Sequence, residues 1–256
     1  MKIKSVFRSG LRTAAAVAAV SLAAVSAQSQ VVSVNIFQNA GNDNQQIDSD
    51  ETFGILSLNS VVGGWNNLNS ATLNIGSSLG LPTTVDFSLT QPNGQATFNA
   101  SYNDTPLFAG LDDYTTTTLP VSLTLSDLNA TFTQGYFVIA YVGGFNANTG
   151  ASISDGATTY FYRPNPTPPV GPYGAFTQTT QTSNLGAGNN PIAQYAVFGS
   201  SSSPLTADSL TLTLDTLSGG GAGLGGVQIV AVPEPAIASL AAVASLMLFQ
   251  RLKNRA

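Results

Sequence analysis

Neither histidine nor cysteine occurs in this chain of 256 residues. A Ser-His-Asp triad, an imidazole-ligated metal, a thiolate nucleophile and a disulfide are all excluded by that. What remains is carboxylate, hydroxyl, amide and aromatic chemistry. Trp65, the single tryptophan, follows Gly63-Gly64 and precedes Asn66 and Asn67. An exposed indole flanked by amides stacks on a sugar ring and bonds its hydroxyls; the plainer alternative is a core tryptophan. Tyr160 and Tyr162 share one face of a strand by period two, with Tyr173 beyond them, as an aromatic platform on the open side of a sheet would require. Arg163 beside them would clamp an acidic sugar or neutralise a carboxylate such as Asp112, Asp113 or Asp155. Each of these residues has an ordinary packing or surface role as its competitor.

Two carboxylate readings stand next to these. Asp43, Asp48, Asp50 and Glu51 lie within one oxygen-rich stretch and would wrap a calcium ion. Ile47 stands where the sharp-turn glycine of an EF-hand is needed, so a solvated acidic loop is the competing reading. Asp86, Asp112, Asp113 and Asp155 would serve a glycoside hydrolase or lyase that works with two carboxylates across a groove. Adjacent Asp112 and Asp113 point to opposite faces of an extended chain, and residues 28–231 hold only one glutamate, Glu51. The chain is therefore read as a non-enzyme without a resident cofactor, calcium being the one candidate ion.

Charge narrows the partners. Of eight basic residues, four lie in 1–27 and three follow Pro235, so residues 28–231 keep Arg163 alone against twelve acids, a net charge of 1 − 12 = −11. Nothing cationic is left to displace counterions, which excludes nucleic acid and anionic headgroups as partners of this region.

The two ends read as addresses. Lys2, Lys4, Arg8 and Arg12 precede an apolar stretch at 13–25, and Val25-Ser26-Ala27 places small residues where signal peptidase reads, with cleavage after Ala27. At the other end Val232, Pro233, Glu234 and Pro235 precede fourteen residues, 236–249, without charge or amide, then Arg251, Lys253 and Arg255. The prolines close the preceding domain, and the apolar run is predicted to be helical. It covers about 21 Å of a hydrocarbon core of roughly 30 Å. It is a short transmembrane anchor, with its basic end held on the cytoplasmic side.

Val-Pro-Glu-Pro, an apolar helix and a basic cluster in this order resemble the PEP-CTERM sorting signal of Gram-negative bacteria. The resemblance covers a tenth of the chain and implies an exosortase substrate, with Pro233, Glu234 and Pro235 as recognition motif and Arg251, Lys253 and Arg255 as cytoplasmic stop. It further implies cutting near the motif and an association with exopolysaccharide and biofilm. The chain departs from the family's pattern in lacking a mid-helix glycine and in interrupting the basic cluster with Leu252 and Asn254.

The elements that must position all this are strands. Residues 28–231 carry short apolar runs rich in Thr, Val, Phe and Tyr between Gly, Asn, Pro and Ser clusters, the texture of one all-β domain. Strands are predicted at 31–37, 53–58, 71–75, 83–89, 95–102, 115–125, 136–142, 158–163, 176–181, 192–198, 209–217 and 227–232. An Asn-Gly hairpin turn is expected at 91–94, a Pro-rich loop at 164–172 and a glycine-rich turn at 219–226. A dozen strands with no helix between them and no repeat period point to a two-sheet sandwich of jelly-roll type. Gly226-Val227-Gln228-Ile229-Val230 resembles the closing strand of lectin-like jelly rolls, and Val34-Asn35 with Trp65-Asn66-Asn67-Leu68 resembles a recurrent pattern of PEP-CTERM ectodomains.

Three segments follow: a signal peptide at 1–27, a sandwich at 28–231 and a sorting signal at 232–256. The expected protein is exported to the cell surface, outer envelope or matrix. It meets signal peptidase, exosortase and the membrane on its way and binds glycan or exopolysaccharide without chemistry. A structural surface protein with no discrete ligand is the alternative.

Overall fold

Alternation of aliphatic with hydroxyl side chains decides which residues become strands and which side each strand buries. The computed structural model describes residues 30–37, 46–47, 54–56, 64–68, 72, 74–77, 81–90, 107, 111–113, 121–144, 150–164, 176–218 and 222–233, of which 111–113 and 218 by backbone alone. The signal peptide with Ala27, the sorting residues Glu234, Pro235, Arg251, Lys253 and Arg255, the acidic stretch of Asp43, Asp48, Asp50 and Glu51, Tyr173, and the expected strand at 95–102 lie outside them. So do the turn at 91–94 and most of the loop at 164–172. No helix among the described residues is long and apolar enough to cross a membrane.

Sheet one holds β1 (Val31–Ile36), β2 (Trp65–Leu68), β4 (Leu111–Asp113), β6 (Tyr136–Gly144), β10 (Tyr195–Phe198) and β12 (Ala222–Ala231). Its order is β10-β6-β12-β1-β2, with β4 pairing the first residues of β12. Sheet two runs β3 (Asp86–Thr90), β5 (Val121–Ser126), β11 (Leu210–Ser218), β7 (Gly150–Ser154), β8 (Thr159–Pro164) and β9 (Ile192–Ala193). Pairing is antiparallel except for β1 with β2 and β8 with β9, so each mixed sheet ends in one parallel pair. The described residues are all-β apart from a single 3-10 turn at Ala187–Asn189, and the two sheets face each other as a β-sandwich.

One core joins them. Val32, Val34, Ile36, Val138, Val227 and Ile229 of sheet one meet Phe87, Leu123, Leu125, Ile153, Leu212 and Leu214 of sheet two in a single buried cluster. In β11 Leu210, Leu212 and Leu214 are buried, whereas Thr211 and Asp215 are exposed and Thr213 is half-buried. The expected half-buried strand is there.

Sheet one is buried on its outer side as well. Val31, Ile47, Leu107, Ile139, Tyr141 and Val230 form a second cluster, against which Ile55, Leu56, Trp65 and Phe176 pack. This is why β6 reads as apolar at nearly every position. Under the covering segments lies a buried polar chain: Ile55 donates its backbone N–H to Tyr141 Oη, Tyr141 donates its hydroxyl to Gln228 Oε1, and Gln228 Nε2 donates to Ser33 Oγ. Leu107 approaches β12 so closely that a Cβ on Gly225 would sit 1.7 Å from its carbonyl oxygen. The glycines of 222–226 accordingly belong to a strand, because only a bare backbone admits that contact. The sequence had suggested a turn there.

Other elements depart from expectation in the same physical way. Residues 54–56 bend instead of forming a strand, with Gly54 at φ 86 under the Tyr141 hydroxyl. Thr72 contributes only an isolated bridge to Phe87, and the segment from Phe176 to Gln181 only a bridge at Gln178. Residues 192–198 form two strands, β9 in sheet two and β10 in sheet one, with Gln194 between them. β4 and β7 had no apolar run to announce them.

Candidate functional site

The Trp65-Asn66-Asn67 group comes from β2, held parallel to β1 with Trp65 opposite Ser33 and Asn67 opposite Asn35. Trp65 is half-buried, its ring centroid 6.2 Å from that of Tyr141 at a tilt of 56°. Asn66 donates to the carbonyls of Ser33 and Gly76 and accepts from Gly76 N–H. Asn67 Oδ1 accepts from Asn35 Nδ2 and from Ile47 N–H, and its Nδ2 donates to Ile47 O. Both amides are spent on the fold. They tie loops to a parallel edge pair, and the indole closes the second core.

Tyr160 and Tyr162 do share one face of β8, but it is the inward one. Tyr162 is fully buried in the inter-sheet core, and Tyr160 packs edge-on against Phe198 at 5.3 Å. Burial, with the Asp155 carboxylate adding to it, raises the Tyr160 pKa above the ordinary phenol value. The expected open-face platform is therefore reversed, because the apolar area of two tyrosines is worth more inside. Arg163, half-buried on the other face of β8, donates from Nε to the Asn190 carbonyl at 2.6 Å. Asp155 caps the β7–β8 turn by accepting the N–H groups of Ala157 and Thr158. Asp112 and Asp113 pair by backbone with Gly223 and Ala222.

A cleft that the sequence did not reveal opens at one end of sheet two. It measures about 490 Å³ and is lined by Asn74, Thr84, Asp86, Asp127, Asn129, Ala130 and Asp208. Four chain segments build it. Asp86 Oδ1 accepts from Asn74 N–H at 2.8 Å, and Asp208 Oδ1 from Asn129 N–H at 2.9 Å, so backbone donors fix the position of both carboxylates. Thr84 donates its hydroxyl to the Asp127 carbonyl at 2.7 Å and lies 3.0 Å from the hydroxyl of Thr131. Asn74 and Asp127 both take the left-handed conformation, at φ 53 and 55, which short polar side chains tolerate best. Only that local preference was visible in sequence; positions 74, 86, 127 and 208 are too far apart for spacing to link them.

Chemically the cleft offers fixed hydrogen-bond acceptors together with amides and a hydroxyl, on an open surface. Such groups bond the hydroxyls of a sugar directly. Among the described residues no three acids converge as a cation site would need. Compared with protein-family models, characterised proteins and solved structures, the chain matches none.

Proposed function

We propose that this chain is an exported, exosortase-sorted surface protein whose sandwich, of jelly-roll type, associates with glycan or exopolysaccharide of the extracellular matrix without catalysis. The address rests on the residue pattern of an export signal at 1–27 and on the resemblance of 232–256 to a sorting signal. The jelly-roll reading is supported by the last two strands, β11 and β12, lying inside opposite sheets. The observation that carries the ligand class is the cleft lined by Asp86, Asp127 and Asp208, in which backbone N–H groups orient the Asp86 and Asp208 carboxylates and flanking amides suit polyol hydroxyls. Isothermal titration of the purified protein with exopolysaccharide from its own host is the test. Saturable heat is expected, and affinity is expected to fall about tenfold in Asp127→Asn/Asp208→Asn, the equivalent of about 1.4 kcal/mol. Absence of heat from a folded protein would sink this reading.

The structural alternative has its own support. Asn66, Asn67 and Tyr162 are spent on the fold, and Trp65 closes the second core. Under that reading the sandwich is a surface element with no discrete ligand.

A further inference from the structure

We propose that the outer face of sheet two is a docking surface for an extended, uncharged polysaccharide, a proposal that rests on the glycan reading above and adds to its cleft a second surface and a narrower ligand class. The registers assemble the face row by row. Thr90 stands opposite Ser122, Ser122 opposite Thr213, Thr213 opposite Ser154 and Ser154 opposite Thr159, a line of five hydroxyl side chains across five strands. The next row is Ser88, Thr124 and Thr211. All eight point away from the core, because their strand neighbours Phe87, Leu123, Leu212, Ile153 and Tyr162 are buried between the sheets. Ser88, Thr90 and Thr211 are exposed and the other five are half-exposed.

Only 8% of the chain's residues are charged, and these two rows hold none of them. The charges begin at the margins, with Asp86 beyond one row, Asp215 beyond the other, and Arg163, bonded to the Asn190 carbonyl, two residues past Phe161 on β8. Acids at the border, on a region of net charge −11, repel anionic polymers, and rows without a carboxylate offer a cationic one no ion pair, so a neutral chain with hydroxyls of its own suits the rows.

The geometry favours a polymer over a small sugar. Strands lie about 4.8 Å apart, and alternate residues about 6.8 Å along a strand, so the hydroxyls form a lattice that only a ligand with repeating hydroxyls matches. The lattice is preorganised. Threonine is stiff at χ1, Thr124 and Thr211 hydroxyls lie 3.0 Å apart, and Thr159 donates to Ser154 Oγ at 2.9 Å. In the row beside Asp215 and Ser152 stands half-exposed Phe161, a ring for the apolar face of a sugar.

The test is pull-down of the full-length protein on microcrystalline cellulose, an uncharged glucan, with alginate beads as the anionic comparator. Retention on cellulose that persists in 1 M salt is expected, since neutral hydrogen bonding is barely screened. Thr124→Val/Thr211→Val/Thr213→Val keeps shape and β-branching and removes hydroxyls; it should lower retention at least tenfold with an unchanged urea midpoint. Thr180→Val/Thr206→Val, exposed threonines outside both rows, should bind cellulose within twofold of the parent. Loss in Asp127→Asn/Asp208→Asn with retention unchanged in the triple variant would overturn the docking face and leave the glycan reading standing. No retention on cellulose, or retention on alginate only, would overturn the docking face; the host-exopolysaccharide titration reads the glycan proposal separately. Dimerisation that the triple variant abolishes would overturn it in favour of a second copy as occupant.

Discussion

Asn67 does more for this fold than its exposed-looking sequence context suggests. It takes one hydrogen bond from Asn35 and exchanges two with the backbone of Ile47, so a residue of a short edge strand fixes a distant loop. Asn35 in turn receives the N–H of Leu107 on its own Oδ1. Removing a partner from such a set leaves part-buried donors and acceptors unmade, at about 1–3 kcal/mol for the group most affected. Asn67→Ala is expected to cost about 2–3 kcal/mol, read as a lower urea midpoint at unchanged slope. An unchanged midpoint would mean that water replaces the amide without loss. Tyr162→Ala removes a large side chain from the centre of the core and should cost about 3–5 kcal/mol.

At the scale of elements, β12 is the strand on which sheet one is assembled. It pairs β6 along one edge and β4 and β1 in succession along the other. Its glycines exist for what lies over them. A Cβ on Gly225 would meet the Leu107 carbonyl, and one on Gly226 would meet the Val34 carbonyl at 2.4 Å, both backbone atoms that cannot rotate away. Gly225→Ala is expected to destabilise by about 1–3 kcal/mol or more through displacement of Leu107. Gly188, with nothing within 4 Å of an added Cβ, is the matched control, and its alanine variant should stay within about 0.5 kcal/mol of the parent. Equal effects at the two sites would refute the close-approach account.

These same contacts explain which elements were readable. β1, β6, β8 and β11 carry apolar residues at strand period or in unbroken runs, and sequence places them to within one or two residues. β12 was only half read, because glycines selected by an overlying loop look like a turn. β7, with Gly150, Ala151 and two serines, has little apolar signal of its own and is a strand because β11 and β8 flank it. Of the site, Trp65 and the two tyrosines were found as residues, while the side they face was set by which sheet surface needed covering. The cleft and the hydroxyl rows depend on registers between segments far apart, which no local pattern encodes.

Across the whole molecule, two tyrosines on β6 link both cores to pH. Tyr136 lies in the inter-sheet core and donates its hydroxyl to the Ala207 carbonyl; Tyr141 lies in the outer core, bonded to Gln228 and Ile55. Burial, reinforced by the carboxylates of Asp208 and Asp155, pushes the Tyr136 pKa up to about 12. Burial raises Tyr141 as well, against a smaller lowering by the Ile55 N–H. The folded pKa values exceed the unfolded value of about 10, so above pH 10 the unfolded chain gives up protons that the native state retains. The stability these neutral phenols contribute is therefore whole below pH 10 and falls as pH rises toward 12. In an ultraviolet titration of tyrosinate, the difference between the parent and Tyr136→Phe/Tyr141→Phe isolates these two phenols. Tyr136 and Tyr141 should ionise only with loss of the β-sheet circular dichroism signal, in one step. Their ionisation near pH 10 with the fold intact would show that Tyr136 and Tyr141 reach water without opening the sandwich, and would contradict both cores as drawn.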